Sequence, residues 1–222
     1  MLKSATVKRY ADSNDLLSDY WLPSEQDIID LHREVLQPGE IDGLLDRNML
    51  GSAVARPRQL LAYEGDQPVH ALASVVSIGI AKNHAFVDGN KRAAFMALKM
   101  TLDENGFQLD LSQDEAVALM EGIAKAEHEG GLTKRDFEEV VRQGVHPWSR
   151  TNFTFDVPDG YLSFEIVPNE SADKWIATCN TGNLDIQLEA RTYHRLVENV
   201  WNARQDYDLP EENDNDFYDS TS

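Results

Sequence analysis

The sequence predicts a mainly α protein: an all-α domain, then a small α+β domain of order β-β-β-α, then an acidic tail. Three observations predict this. Apolar residues recur at helical spacing through 24–143, apolar and polar residues alternate from about residue 150, and residues 206–222 carry seven acids and no base. The expected boundaries are an N-terminal extension over 1–23, the helical domain over 24–148, the β-β-β-α domain over 151–205, and a disordered tail over 206–222.

The elements follow in order. SEQDIIDLHREVL, 24–36, predicts a helix with Ser24 as cap, Asp27 at the capping-box position and a stripe of Ile28, Ile29, Leu31, Val35 and Leu36. PGEIDGLLDRN, 38–48, reads as a loop, and MLGSAVARPRQLLAY, 49–63, as a short helix broken at Pro57. VHALASVVSIGIAKN, 69–83, is apolar or small on every side, the mark of a helix buried mid-domain. KRAAFMALKMTLDENG sets Phe95, Leu98 and Leu102 on one face and stops at Gly106. Two further amphipathic helices cover 112–128 and 133–143, and 24–143 shows no convincing strand pattern. Beyond 150, GYLSFEIVP alternates Leu162, Phe164 and Ile166 with polar residues. KWIATCN and LDIQLEA predict two more strands, and RTYHRLVENVWNARQ a final helix.

Composition excludes several classes. The single cysteine, Cys179, rules out an intrachain disulfide and a cysteine zinc site and reads as a small packed hydrophobe. No apolar run approaches the roughly 20 residues of a membrane span, and MLKSATVKRYADSND lacks the apolar region of a secretory signal. A soluble cytoplasmic protein with no membrane partner is expected. The net charge of −19 repels phosphate backbones, so direct nucleic-acid binding is not expected.

Against that negative field, KNHAFVDGNKRAAF, 82–95, gathers two lysines, an arginine, an aspartate and a histidine. The buried helix delivers Asn83 and His84 at its end, and Phe86 turns back as the structural anchor of the loop. Asp88 and Gly89 turn the chain, and Asn90, Lys91 and Arg92 open the next helix. A helix N-terminus preceded by Gly and reinforced by Lys and Arg is a phosphate site. Asp88 beside it makes sense as the holder of a magnesium ion (Mg2+) that bridges phosphate oxygens. His84 can take the proton of an incoming hydroxyl. Singly, each residue has a plainer reading as a cap, a solvated surface or a turn. Together they describe transfer of a phosphorus group to a hydroxyl. The Walker pattern GxxxxGK[ST] is absent.

HAFVDGNKR resembles the Fic/Doc motif HxFx(D/E)(G/A)N(G/K)R at every specified position. LHREVL, GLLDRNMLGSAVARPR, the apolar helix leading to KNH, and LDENG extend the resemblance over roughly 24–143, to the death-on-curing (Doc) branch. It implies ATP as substrate, His84 as general base, Asp88 as metal holder, and Gly89, Asn90, Lys91 and Arg92 as the phosphate cradle. Lys91 stands where enzymes that transfer AMP carry Gly, and Phe95 where they usually carry a second Arg. Both departures point to the Doc-like activity, transfer of the γ-phosphate to a threonine of elongation factor Tu. A Fic-type adenylyltransferase, which AMPylates its target, and a non-catalytic interaction protein on the same scaffold are the alternatives.

A Doc-type toxin needs restraint. The inhibitory pattern [S/T]xxxE[G/N] is absent, so inhibition is expected from a separate antitoxin or from the C-terminal region. Residues 151–205 are similar to HicB-like antitoxin folds in strand order, length and the LEARTYHRLVENV passage, with a generic sheet-plus-helix accessory domain as the other reading.

Overall fold

The computed structural model describes residues 6–7, 16–125, 127–157, 160–169, 174–180 and 185–205. In chain order the elements are β1 (Thr6–Val7), α1 (Glu25–Val35), α2 (Arg47–Glu64), α3 (Val69–Asn83), α4 (Asn90–Asp103), β2 (Phe107–Leu109), α5 (Gln113–Ala124), α6 (Lys134–Gly144), β3 (Val145–Pro147), β4 (Thr151–Val157), β5 (Gly160–Pro168), β6 (Trp175–Asn180), β7 (Asp185–Ala190) and α7 (Tyr193–Gln205). The described residues divide into two units, a helical one within 12–148 that also takes 192–195, and a sheet unit formed by the other described residues. A helical domain followed by an α+β region is thus the observed fold class. No described helix is long and apolar enough to cross a membrane.

In the helical unit, local chemistry sets the helix starts. Ser24, Ser112 and Thr133 each close a reciprocal capping box, with Asp27, Glu115 and Asp136 respectively. Asp46 caps α2 by accepting from the Asn48 and Met49 N–H groups. The apolar run of α3 forms the centre, with ten residues from Ala71 to Ala81 buried. Around it Ile28, Leu50, Leu98, Leu102, Ile123, Phe137 and Val141 complete the core, all fully buried. Each Leu or Ile so buried contributes about 1.5–3 kcal/mol. Gly79 lets α3 approach α2 closely, because a Cβ there would lie 2.9 Å from Ala53 Cβ.

Three expectations need correction. Pro57 does not break the second helix, since α2 runs from Arg47 to Glu64 with Pro57 buried inside it. A proline in a helix interior costs about 3 kcal/mol. The buried face continues on both sides of it through Leu50, Ala53, Val54 and Leu61, and that packing outweighs the loss. Strand structure also occurs after α4, where β2 pairs antiparallel with β3. Finally, the helical unit reaches back before residue 24. Tyr20 and Leu22 pack with Leu61 and Leu72, and the Asn105 side chain bonds both backbone groups of Trp21.

The sheet unit has strand order β1-β7-β6-β5-β4, with β4 to β7 an antiparallel meander and β1 parallel to β7. The three expected strands are present, and a fourth, β4, precedes them. Leu162, Phe164 and Ile166 are buried as the alternation required, while Tyr161 is exposed. Leu196, Val200 and Ala203 of α7 are buried, and Trp201 meets Phe155 edge to face with ring centroids 5.2 Å apart. Cys179 is buried in the sheet unit. The acidic tail lies outside the described residues.

Candidate active site

The site begins where α3 ends. Asn83 ties that end to α2: its Nδ2 donates to the Met49 carbonyl at 2.8 Å, and Arg56 Nη2 donates to its Oδ1 at 3.1 Å. His84 follows as the C-cap, in the left-handed conformation with φ 49° and ψ 47°. Among the described residues it is the one non-glycine with positive φ, a conformation histidine tolerates better than most. The left-handed turn stops the helix and leaves the imidazole exposed at its end.

Next, the chain runs alongside the segment between α1 and α2. Leu45 N–H donates to the Ala85 carbonyl at 2.8 Å, Val87 N–H donates to the Gly43 carbonyl at 2.9 Å, and Leu44 and Phe86 form an antiparallel bridge. Phe86 is buried in the core. Asn90 closes the loop by gripping the Phe86 peptide groups on both sides, accepting from its N–H at 3.0 Å and donating to its carbonyl at 2.7 Å. Asp88 Oδ2 accepts from the Ile41 N–H at 3.0 Å.

Gly89 is the N-cap of α4, with φ 73°, and no side chain caps this helix. The first-turn N–H groups of α4 therefore lack a side-chain acceptor, which is the condition for an anion to sit there. A Cβ on Gly89 would lie 3.3 Å from His32 Nε2, so both backbone angle and space favour glycine. Lys91 is about half exposed, and its Nζ is 3.9 Å from Glu121 Oε1, a pair worth little at that separation. Arg92 is held firmly. Its Nη1 donates to the Val35 carbonyl at 2.7 Å and its Nη2 donates to both Glu40 carboxylate oxygens, at 2.5 and 2.6 Å. The Arg92 guanidinium, and after it the Gln37 N–H, hold the Glu40 carboxyl below its usual range. A depressed carboxyl keeps this pairing at neutral pH and loses it only as pH falls through the lowered folded value.

His84, Val87, Asp88, Gly89, Asn90, Lys91 and Arg92 line one cavity of about 300 Å³. Six of the seven residues singled out in the sequence thus meet in one place, and Phe86 lies buried beneath them. Lys91 and Arg92 also edge a larger apolar groove of about 600 Å³ floored by Phe95, Met96, Leu109 and Met120.

Residues 21–102 match the family model described as the Fic/DOC family. Over those residues the chain is similar to the Fic/DOC family. A relative of Mycolicibacterium smegmatis, "Toxin Doc", is 39% identical over 82 residues, which are 36% of this chain and 63% of that protein. This chain therefore spans a little under two thirds of the relative's length.

The matched segment contains two residues that the sequence did not single out. His32 is buried on α1, stacks on Phe86 with ring centroids 3.9 Å apart and 6° between planes, and bonds the Asp88 carbonyl at 2.9 Å. Glu40, on Arg92, is the second. Apolar exposure is also concentrated here. Of the nine large hydrophobic residues exposed among the described residues, Ile41, Leu44, Leu45, Met49 and Val87 all belong to the loop, its paired segment or the start of α2. Patches of this kind mark interaction surfaces.

Proposed function

We propose that this chain is a Doc-like toxin that transfers the γ-phosphoryl group of ATP to a Ser or Thr hydroxyl of a protein, with a translation factor of the elongation factor Tu type as the implied target. The convergence of an exposed histidine, an aspartate and an uncapped cationic helix N-terminus on one cavity carries this reading. The exposed apolar residues beside His84 suit a macromolecular substrate.

In this reading the hydroxyl oxygen forms a bond to the γ-phosphorus as the bond to the β–γ bridging oxygen breaks, and ADP leaves with that electron pair. An imidazole nitrogen of His84 takes the hydroxyl proton. The α4 amides, Lys91 and Arg92 receive the phosphate charge. Asp88 fits a Mg2+ ion, which is commonly bound through one carboxylate together with substrate phosphates. That ion would neutralise charge developing on the phosphates. Arrest of growth then requires restraint, and a partner antitoxin or residues 151–222 would supply it.

The decisive experiment incubates the full chain with cell lysate and ATP labelled at either the γ or the α position. Protein labelled from the γ position alone supports phosphotransfer. Label from the α position replaces this reading with AMP transfer, and no label from either leaves the non-catalytic scaffold.

Glu40 gives a second expected result, because an incoming phosphate must share Arg92 with it. Arg92→Ala should weaken ATP binding about tenfold, the loss of one charge-assisted donor, and the deficit should shrink with rising salt. Glu40→Gln should tighten binding instead. Calorimetry showing equal affinity in all three chains would exclude Arg92 from the cradle.

A further inference from the structure

His32 is a costly choice as a core filler. Its imidazole is 1% exposed, and its Nδ1 has no hydrogen-bond partner among the described residues, the nearest carboxylate oxygen being Asp42 Oδ1 at 3.7 Å. A phenyl ring could stack on Phe86 equally well and leave no buried nitrogen unpaired. What the imidazole adds is the bond between its Nε2 and the Asp88 carbonyl. A carbonyl only accepts, so Nε2 carries the proton.

That bond acts on the next residue. In a trans peptide the carbonyl of one residue and the N–H of the following residue point in opposite directions. Holding the Asp88 carbonyl toward His32 therefore turns the Gly89 N–H away from α1. Gly89 is the uncapped N-cap of α4 and lines the cavity. Glycine is also the residue before which a peptide plane rotates most freely. A flipped plane would present a carbonyl oxygen to an anion in place of an amide.

We infer that His32 is a positioning residue, which aims the Gly89 amide at a bound phosphate by fixing the Asp88–Gly89 peptide from beneath. The inference rests on the phosphate reading of the cavity but not on the identity of the group transferred.

The test uses the full chain, with tripolyphosphate as probe and the Gly89 amide resonance as readout, alongside γ-phosphate transfer. In wild type, a long-range 15N–1H spectrum should find the His32 proton on Nε2, and the Gly89 amide should shift as tripolyphosphate is added. His32→Phe keeps the stack and removes the donor. It should melt near wild type, lose the Gly89 shift, and lower transfer by about 10²-fold, the usual effect of losing one aimed donor. His32→Gln restores a donor at similar reach and should recover transfer to within about threefold of wild type. A proton found on Nδ1 alone overturns the inference, whether or not the variants fold. So does a His32→Phe chain that binds tripolyphosphate like wild type, or a pair of variants that lose binding only in proportion to lost stability. If wild type transfers no phosphate yet its Gly89 amide responds and that of His32→Phe does not, the positioning role stands and the transfer reading falls.

Discussion

His84→Ala should reduce phosphate transfer by about 10²–10⁴-fold, the effect of removing a general base, while ATP binding and the melting temperature stay near wild type. The side chain is exposed and contributes nothing to the core, so its loss should leave the fold unchanged. The backbone needs its own control, because His84 occupies the left-handed region. Asn tolerates that region well, so His84→Asn keeps the turn and removes the base. Both variants should be equally inactive, and cells producing either should grow. Growth arrest that persists in both would remove His84 from the chemistry.

Phe86→Ala should have the largest effect on stability. The ring is 2% exposed, lies flat on His32, and belongs to the same buried cluster as Ala85 and Leu98. Truncating a buried Phe costs about 3–5 kcal/mol. The melting temperature of the helical unit should fall by about 10 °C. Transfer should fall further than stability explains, because the same residue's peptide groups hold Asn90 at the mouth of α4. Phe86→Leu refills much of the volume and should recover most of the melting temperature. If it also recovers full transfer, the flat stack on His32 has no role in the site.

Sequence reading succeeded where a cause was local. The uniform apolarity of 69–83 is one such case, and it marks α3 as the central helix. Ser24 and Asp27, three residues apart, identified the start of α1. The alternation in GYLSFEIVP identified β5 and its inward face. The motif residues of the site were legible because they are contiguous. His32 and Glu40 were not, since each acts across more than fifty residues, on Asp88 and Arg92 respectively. LHREVL offered His32 only as an ordinary helical polar residue. The loop reading of 38–48 holds as far as Asp46, where α2 begins, but nothing in a loop shows which arginine its glutamate will meet. β4 was missed because TNFTFDV is half Thr, Asn and Asp, and β2 because three residues are too few to show a period. Pro57 was misjudged because intrinsic helix preference is a weak guide inside a packed core.

The bare start of α4 has one more consequence, for the folding of the chain itself. α1, α2, α5 and α6 each start from a polar side-chain cap, a device worth about 1 kcal/mol apiece, whereas α3, which follows Pro68, and α4 do not. Whatever anion binds there acts as the missing cap. The empty protein is then less sturdy than the occupied one, with the deficit confined to the loop and first turn that make the site. An anion at a hundred times its dissociation constant would add about 2.7 kcal/mol to the folded state. If that anion is ATP, as proposed, nucleotide would protect the chain from proteolysis, and a starved cell would hold the more perishable form.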